Sequence, residues 1–98
     1  MNEQQLGKLK QDIKLLIINT LNITNIDPSQ VMNNEQLFAK DNTLGLDSID
    51  AIEIVMALQN HYGVRIGDQN LARYILESID SIAEFLIKEN AVEPQVAN

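Results

Sequence analysis

Leu44-Gly45-Leu46-Asp47-Ser48-Ile49-Asp50-Ala51-Ile52-Glu53-Ile54-Val55-Met56-Ala57-Leu58 is the stretch around which this chain is organised. A glycine-bearing loop runs into an Asp-Ser pair, and an apolar segment follows with no proline or glycine until Gly63. Asp47 and Ser48 both suit a helix start, because their side-chain oxygens accept hydrogen bonds from the first free backbone N–H groups. The segment is too long for a typical strand and lacks strict alternation, so it reads as a helix over about 48–61. Gly63 follows as a natural C-cap.

The apolar residues of that helix point two ways. At 3.6 residues per turn, Ala51, Val55, Leu58 and Tyr62 share one face, with Ile54 near its edge. Ile49, Ile52 and Met56 form a second stripe, roughly 120° round by the same geometry, beside Asp50 and Glu53. Periodicity leaves two readings of that stripe open: a surface kept for partners, or burial in a crowded bundle.

These residues resemble the acyl carrier proteins. Leu44-Gly45-x-Asp47-Ser48-Ile49-Asp50-x-Ile52-Glu53-Ile54-Val55-x-x-Leu58, followed by Tyr62-Gly63-Val64-x-Ile66, is similar to the motif of that family. Asp-Ser-Ile alone is a weak signal; the extended match is specific. The resemblance runs from about Leu6 to Leu86 and is closest between Leu44 and Ile66. It implies an all-α four-helix bundle with a long first loop and a short third helix. It also implies that Ser48, next to Asp47, carries a 4′-phosphopantetheine arm attached from coenzyme A by a phosphopantetheinyl transferase. Acids and apolar residues matching Asp47, Ile49, Asp50, Ile52, Glu53 and Met56 dock the family's partner enzymes, which acylate or condense and present basic surfaces. An apolar interior, here with Ile54, Leu58 and Ile75 as candidates, shelters the acyl chain. Gln59-Asn60-His61 stands where many members carry acids, and Arg65 and Arg73 interrupt the acidic run beyond the helix. These departures count against docking onto the same enzymes, while the longer first loop and the Leu37-Phe38 pair ahead of Leu44–Ile49 resemble specialised members more than the housekeeping fatty-acid carrier.

Composition agrees with a single small domain of 98 residues. We expect a carrier domain over 1–90 and a polar C-terminal tail over 91–98. There is no cysteine, so the chain has no thiol of its own with which to form a thioester and no Cys-based metal site. A net charge of −7 argues against nucleic acid, which needs a basic footprint. Between Asp41 and Val64 stand four acids and no Lys or Arg, while Lys8, Lys10 and Lys14 gather near the N-terminus. The first residues lack the pattern of a signal peptide, and no apolar run approaches the ~20 residues that span a bilayer. The expectation is therefore a soluble cytoplasmic protein; a monomer is expected as well.

The remaining segments fit a bundle. Leu6, Leu9, Ile13, Leu16, Ile17 and Leu21 recur at helical spacing over about 4–22, with Leu15 and Ile18 widening the apolar side and Lys10 and Lys14 on the polar side. Residues 22–43 read as a loop with turn chemistry at Asn25, Asp27, Pro28 and Ser29. Loops of this length are uncommon without internal order, so Ile26, Val31, Leu37 and Phe38 are expected to pin it, with a helical turn around 34–38. Val64-Arg65-Ile66 reads as an extended connector that buries Val64 and Ile66. A short helix is expected over 71–76, with Leu71, Tyr74 and Ile75 apolar at compatible spacing. Ser78 is a plausible N-cap for a last helix whose buried stripe is Ile79, Ile82, Phe85 and Leu86.

Catalytic and metal chemistry are poorly served. The one histidine, His61, lies thirteen positions after Ser48 on the same helix, about 20 Å away at 1.5 Å per residue. A general base must reach within about 3 Å of its nucleophile. An EF-hand loop starting at Asp41 would place Thr43, Gly45 and Ile52 at its third, fifth and twelfth positions, and the pattern fails. Taken alone, Ser48 reads as an N-cap; taken with the extended motif, the resemblance implies that it is the attachment site. The competing class is a small helical interaction module that uses the same acidic and apolar surface with Ser48 unmodified.

Overall fold

The computed structural model describes residues 2–91. Four α-helices and a turn of 3-10 helix follow in order: α1 (Glu3–Thr20), the 3-10 turn (Pro28–Gln30), α2 (Ser48–Tyr62), α3 (Gln69–Ile75) and α4 (Ile79–Lys88). Among the described residues there is no strand. This is the expected all-α arrangement, with a long first loop and a short third helix. Of the expected tail, residues 92–98 lie outside the described residues. Ala91 is still tied to the domain, its N–H donating to Leu86 O at 2.9 Å.

α1 opens on Asn2 with a reciprocal cap. Asn2 Oδ1 accepts the Gln5 N–H at 2.8 Å, and Gln5 Oε1 accepts the Asn2 N–H at 3.1 Å. Leu9, Ile13, Ile17 and Ile18 of α1 are buried, and α1 packs on both α2 and α4. Two expectations for this helix are corrected. Leu15 is exposed, and Lys14 is buried, at 9 % exposure. The lysine's methylene stem can lie along apolar surface while its ammonium acts on a nearby carboxylate, that of Glu35. Lys10 instead reaches α4, its Nζ 2.7 Å from Asp80 Oδ1. This is an ion pair rather than a directed hydrogen bond, since Oδ1 has no hydrogen-bond partner.

The long loop is pinned as expected by Val31 and Leu37, both fully buried, with Ile26 and Phe38 half-buried. Its helical turn falls at Pro28–Gln30 rather than around 34–38. Asp27 Oδ1 accepts the Ser29 N–H at 2.9 Å, Gln30 Oε1 accepts the Asp27 N–H at 2.8 Å, and Pro28 occupies the first helical position. Backbone bonds sew the loop to the start of α4: the Leu37 N–H donates to Glu77 O, and the Asp80 N–H to Asn33 O, each at 2.9 Å.

In α2 the fully buried residues are Ile54 and Leu58. Ala51, Val55 and Tyr62 are only half-buried, so the core side is centred on Ile54 and not, as expected, on the Ala51–Val55 line. The reason is α3, which packs against α4 and leaves open the side of α2 that carries Ala51 and Val55. α2 ends at Gly63, whose left-handed φ of 70° suits a residue without Cβ. Gln59 then holds the connector, its Oε1 accepting the Ile66 N–H at 2.8 Å. Ile66 is buried and Val64 half-buried.

α3 starts two residues earlier than expected, at Gln69, and buries only part of its apolar set. Leu71 and Tyr74 are exposed, and Ile75 with the following Leu76 is buried. In α4 the buried stripe is Ile79, Ile82, Ala83 and Leu86, with Phe85 half-buried. Ser78 is the N-cap of α4, as expected.

Candidate functional site

The start of α2 is delivered by a turn that the sequence alone does not reveal. Asn42 accepts the Leu46 N–H at 2.7 Å through Oδ1 and donates through Nδ2 to Ala39 O at 2.8 Å and Leu46 O at 3.2 Å. Gly45 turns the chain within this clamp at a φ of 68°, a conformation that glycine adopts without strain. Leu44 and Leu46 on either side are buried. Glu35 braces the turn from outside: its carboxylate accepts bonds from the Met32 N–H at 2.9 Å, the Thr43 hydroxyl at 3.2 Å and the Thr43 N–H at 3.3 Å. Burial alone would raise the Glu35 pKa. These hydrogen bonds, helped by the charge of Lys14, outweigh it and hold the carboxyl below its ordinary value.

Asp47 is the N-cap of α2, and Ser48 is its first helical residue. Asp47 Oδ1 accepts the N–H groups of Ile49 at 3.0 Å and Asp50 at 3.1 Å, and Asp50 Oδ2 accepts the Asp47 N–H at 3.0 Å. The capping duty that Ser48 could have taken is therefore performed by its neighbour. Ser48 is exposed, and among the described residues its hydroxyl takes part in no hydrogen bond. Two of the free N–H groups at this helix end, those of Ile49 and Asp50, already donate to Asp47. The helix dipole remains the local attraction for a phosphate group at Ser48.

The second apolar stripe of α2 lies at the surface. Ile49, Ile52 and Met56 are 68 %, 62 % and 55 % exposed. Glu53 and Asp47 are exposed beside them, while Asp50 is half-buried and committed to the cap. Ser48 and Asp47 also sit on the wall of an open cleft of about 1090 Å³ between α2 and α3. Ala51, Val55, Ile66, Ala72 and Leu76 supply much of its apolar lining. The three acyl-pocket candidates are elsewhere. Ile54, Leu58 and Ile75 lie in the closed core, and none of them lines this cleft. The apolar space that is open from Ser48 is bounded instead by the neighbouring, less buried positions.

His61 is exposed in the last turn of α2, its ring edge-on to Tyr62 at 4.7 Å, at the opposite end of the helix from Ser48. Tyr62 is held above its ordinary pKa by burial and by the negative charge of Asp12 on α1. Sequence reasoning missed Asn42 and Glu35 because a polar residue in a long loop carries no periodic signal. It is the folded turn that converts them into a support for Ser48.

Comparison with known proteins agrees with this architecture. The family model described as "Phosphopantetheine attachment site" matches residues 21–86. The acyl carrier protein of Helicobacter pylori (strain G27) is 39 % identical over 67 residues, covering 68 % of this chain and 78 % of that protein. Acyl carrier protein 2, mitochondrial, of Arabidopsis thaliana is 37 % identical over 65 residues, which span 66 % of this chain and 48 % of that longer relative. The acyl carrier protein of Thermosynechococcus vestitus is 29 % identical over 80 residues, 82 % of this chain and 89 % of that protein. A helical domain matched over two thirds of its length by phosphopantetheine-bearing proteins is a carrier by class. The chain belongs to the acyl carrier protein family, whose members bear covalently attached 4′-phosphopantetheine and are carriers rather than enzymes.

Proposed function

We propose that Ser48 bears the 4′-phosphopantetheine arm and that the domain presents acyl thioesters to lipid or polyketide biosynthetic enzymes. The observation that carries this reading is the division of labour at the head of α2: Asp47 caps the helix, leaving the Ser48 hydroxyl exposed and unbonded. The residues around Ser48 fit the group, since the hydroxyl is exposed to a transferase and stands on the wall of an open cleft with a partly apolar lining. The arm supplies a thiol on which acyl groups ride, a function for which this cysteine-free chain has no side chain.

Docking follows from the same helix. Ile49, Ile52 and Met56 offer a small apolar patch, and Asp47 and Glu53 an acidic border, for partner enzymes with basic surfaces. Asp50 belongs to the same side, but its carboxylate also holds the cap. Glu53→Lys is therefore the cleaner test of docking, and it should weaken association at low salt while leaving α2 intact. Among the described residues no helix is long and apolar enough to cross a membrane. A cytoplasmic setting is our expectation, although the relative from Arabidopsis thaliana is named as mitochondrial.

The test is the intact mass before and after incubation with coenzyme A and a broad-specificity phosphopantetheinyl transferase. A gain of one phosphopantetheine in the wild type, absent in Ser48→Ala, is expected. A folded wild-type protein that gains nothing would return the domain to the interaction-module reading.

A further inference from the structure

The cleft beside Ser48 is not uniformly apolar. Its charged lining residues are Asp47, Asp68, Glu77 and Arg73. Asp47 caps α2, and Asp68 caps α3 by accepting the Leu71 N–H at 2.8 Å. Arg73 is the one cation that lines the cleft. It is exposed, and among the described residues no carboxylate lies within ion-pair distance of it. Its place in the last turn of α3 favours the helix dipole, but that effect does not require a position on the cleft wall. Arg65 supplies a contrast: it is exposed in the connector and does not line the cleft.

A guanidinium presents a planar fork of donors that matches a carboxylate or a phosphate with two parallel hydrogen bonds. The apolar interior next to the cleft is closed, with Ile54, Leu58 and Ile75 fully buried. Whatever extends from Ser48 into the cleft meets its wall, and on that wall the one cationic group is Arg73. Acids elsewhere on the wall would repel an anion, so among the charged lining side chains only Arg73 attracts one.

We infer that Arg73 receives an anionic group brought into the cleft from Ser48, either a carboxylate on the carried acyl group or the phosphodiester of the arm. The inference rests on the carrier reading. It narrows the load toward dicarboxylic half-thioesters if the carboxylate is the anion, and it assigns Arg73 to arm positioning if the phosphodiester is.

The experiment compares nitrogen-labelled protein in four forms, each verified by intact mass: unmodified, bearing the arm, and bearing the arm loaded with either a glutaryl or a pentanoyl thioester. The readout is the Arg73 Nε–H resonance, assigned by its loss in Arg73→Gln, with Arg65→Gln as the control variant. A shift that appears only with the glutaryl load supports the carboxylate. A shift already present on arming supports the phosphodiester. A resonance that is unchanged in all four forms, with the mass showing the arm in place, overturns the inference. In the glutaryl form, the distal carboxylate should titrate at lower pH in the wild type and in Arg65→Gln than in Arg73→Gln if it is the bound anion. Absence of the arm from the mass spectrum would instead remove the carrier reading, a failure separate from that of Arg73.

Discussion

The tripeptide Ser-Ile-Asp occurs twice in this chain, at 48–50 and at 78–80, and each copy stands at the start of a helix. The two copies do opposite things. At the second, Ser78 is the cap: its Oγ accepts the Ser81 N–H at 3.1 Å, Ile79 is fully buried, and Asp80 pairs with Lys10 of α1. At the first, Ser48 lies one place inside the helix, Ile49 is exposed, and Asp50 bonds back to the cap residue. The preceding residue accounts for the difference in register. Asp47 has a short carboxylate that reaches the first turn and takes the cap, whereas Glu77 precedes Ser78 and leaves the cap to the serine. The same three side chains build a structural joint in one place and a presented surface in the other.

The largest expected effect that sharpens this contrast is on the isoleucines. Ile79→Ala should cost about 2–5 kcal/mol of stability, the range for emptying a fully packed aliphatic site. Ile49→Ala should change stability by no more than about 0.5 kcal/mol, as exposed substitutions do. Urea unfolding of the two variants checks both, and equal losses would break the contrast.

The caps come next. Ser78→Ala should cost about 1 kcal/mol, while Ser48→Ala should be nearly neutral because its hydroxyl supports nothing in the fold. Asp47→Glu makes the first site resemble the second, Glu-Ser-Ile-Asp, and should also cost up to about 1 kcal/mol. Ser48 is expected to take over the cap in that variant, with α2 starting one residue later. Backbone chemical shifts at residues 47–50 would report the change.

The smallest effect concerns the loop that delivers the first copy. Hydrogen bonding outweighs burial at Glu35 and holds its carboxyl below the ordinary value of 4.5. A carboxyl with a depressed pKa in the folded state contributes stability above its unfolded value, and that contribution is lost as pH falls through the folded value. The wild type should therefore lose more stability than Glu35→Gln as the pH is lowered below about 4.5. Parallel declines in unfolding midpoints would remove Glu35 from the support of Ser48.

Much of this architecture is legible in the sequence because helices announce themselves by spacing. α2 and α4 were placed by their cap residues and apolar repeats, and Gly63 ends α2 where expected. What spacing cannot give is the identity of the neighbour on each side. Spacing puts Ile54 near the edge of the core face and Lys14 on the polar side; in the fold the Ala51–Val55 side stays open to the cleft, Ile54 is fully buried, and Lys14 is buried as well. α3 has seven residues, too few for periodicity to choose a face: Ile75 is buried, while Leu71 and Tyr74 are exposed. The head of α2 holds two adjacent residues that both cap helices well. Only the folded turn, clamped by Asn42, decides that Asp47 takes the role and Ser48 is left over.

The most direct test is to let the two serines compete for the arm in one molecule. After the transferase reaction, tryptic cleavage at Lys40, Arg65, Arg73 and Lys88 places Ser48 in the peptide 41–65 and Ser78 in the peptide 74–88. Phosphopantetheine found on 41–65 at Ser48, with 74–88 unmodified, is the predicted result. Modification at Ser78, or equal labelling of the two peptides, would contradict the claim that the cap at Asp47 is what sets Ser48 apart.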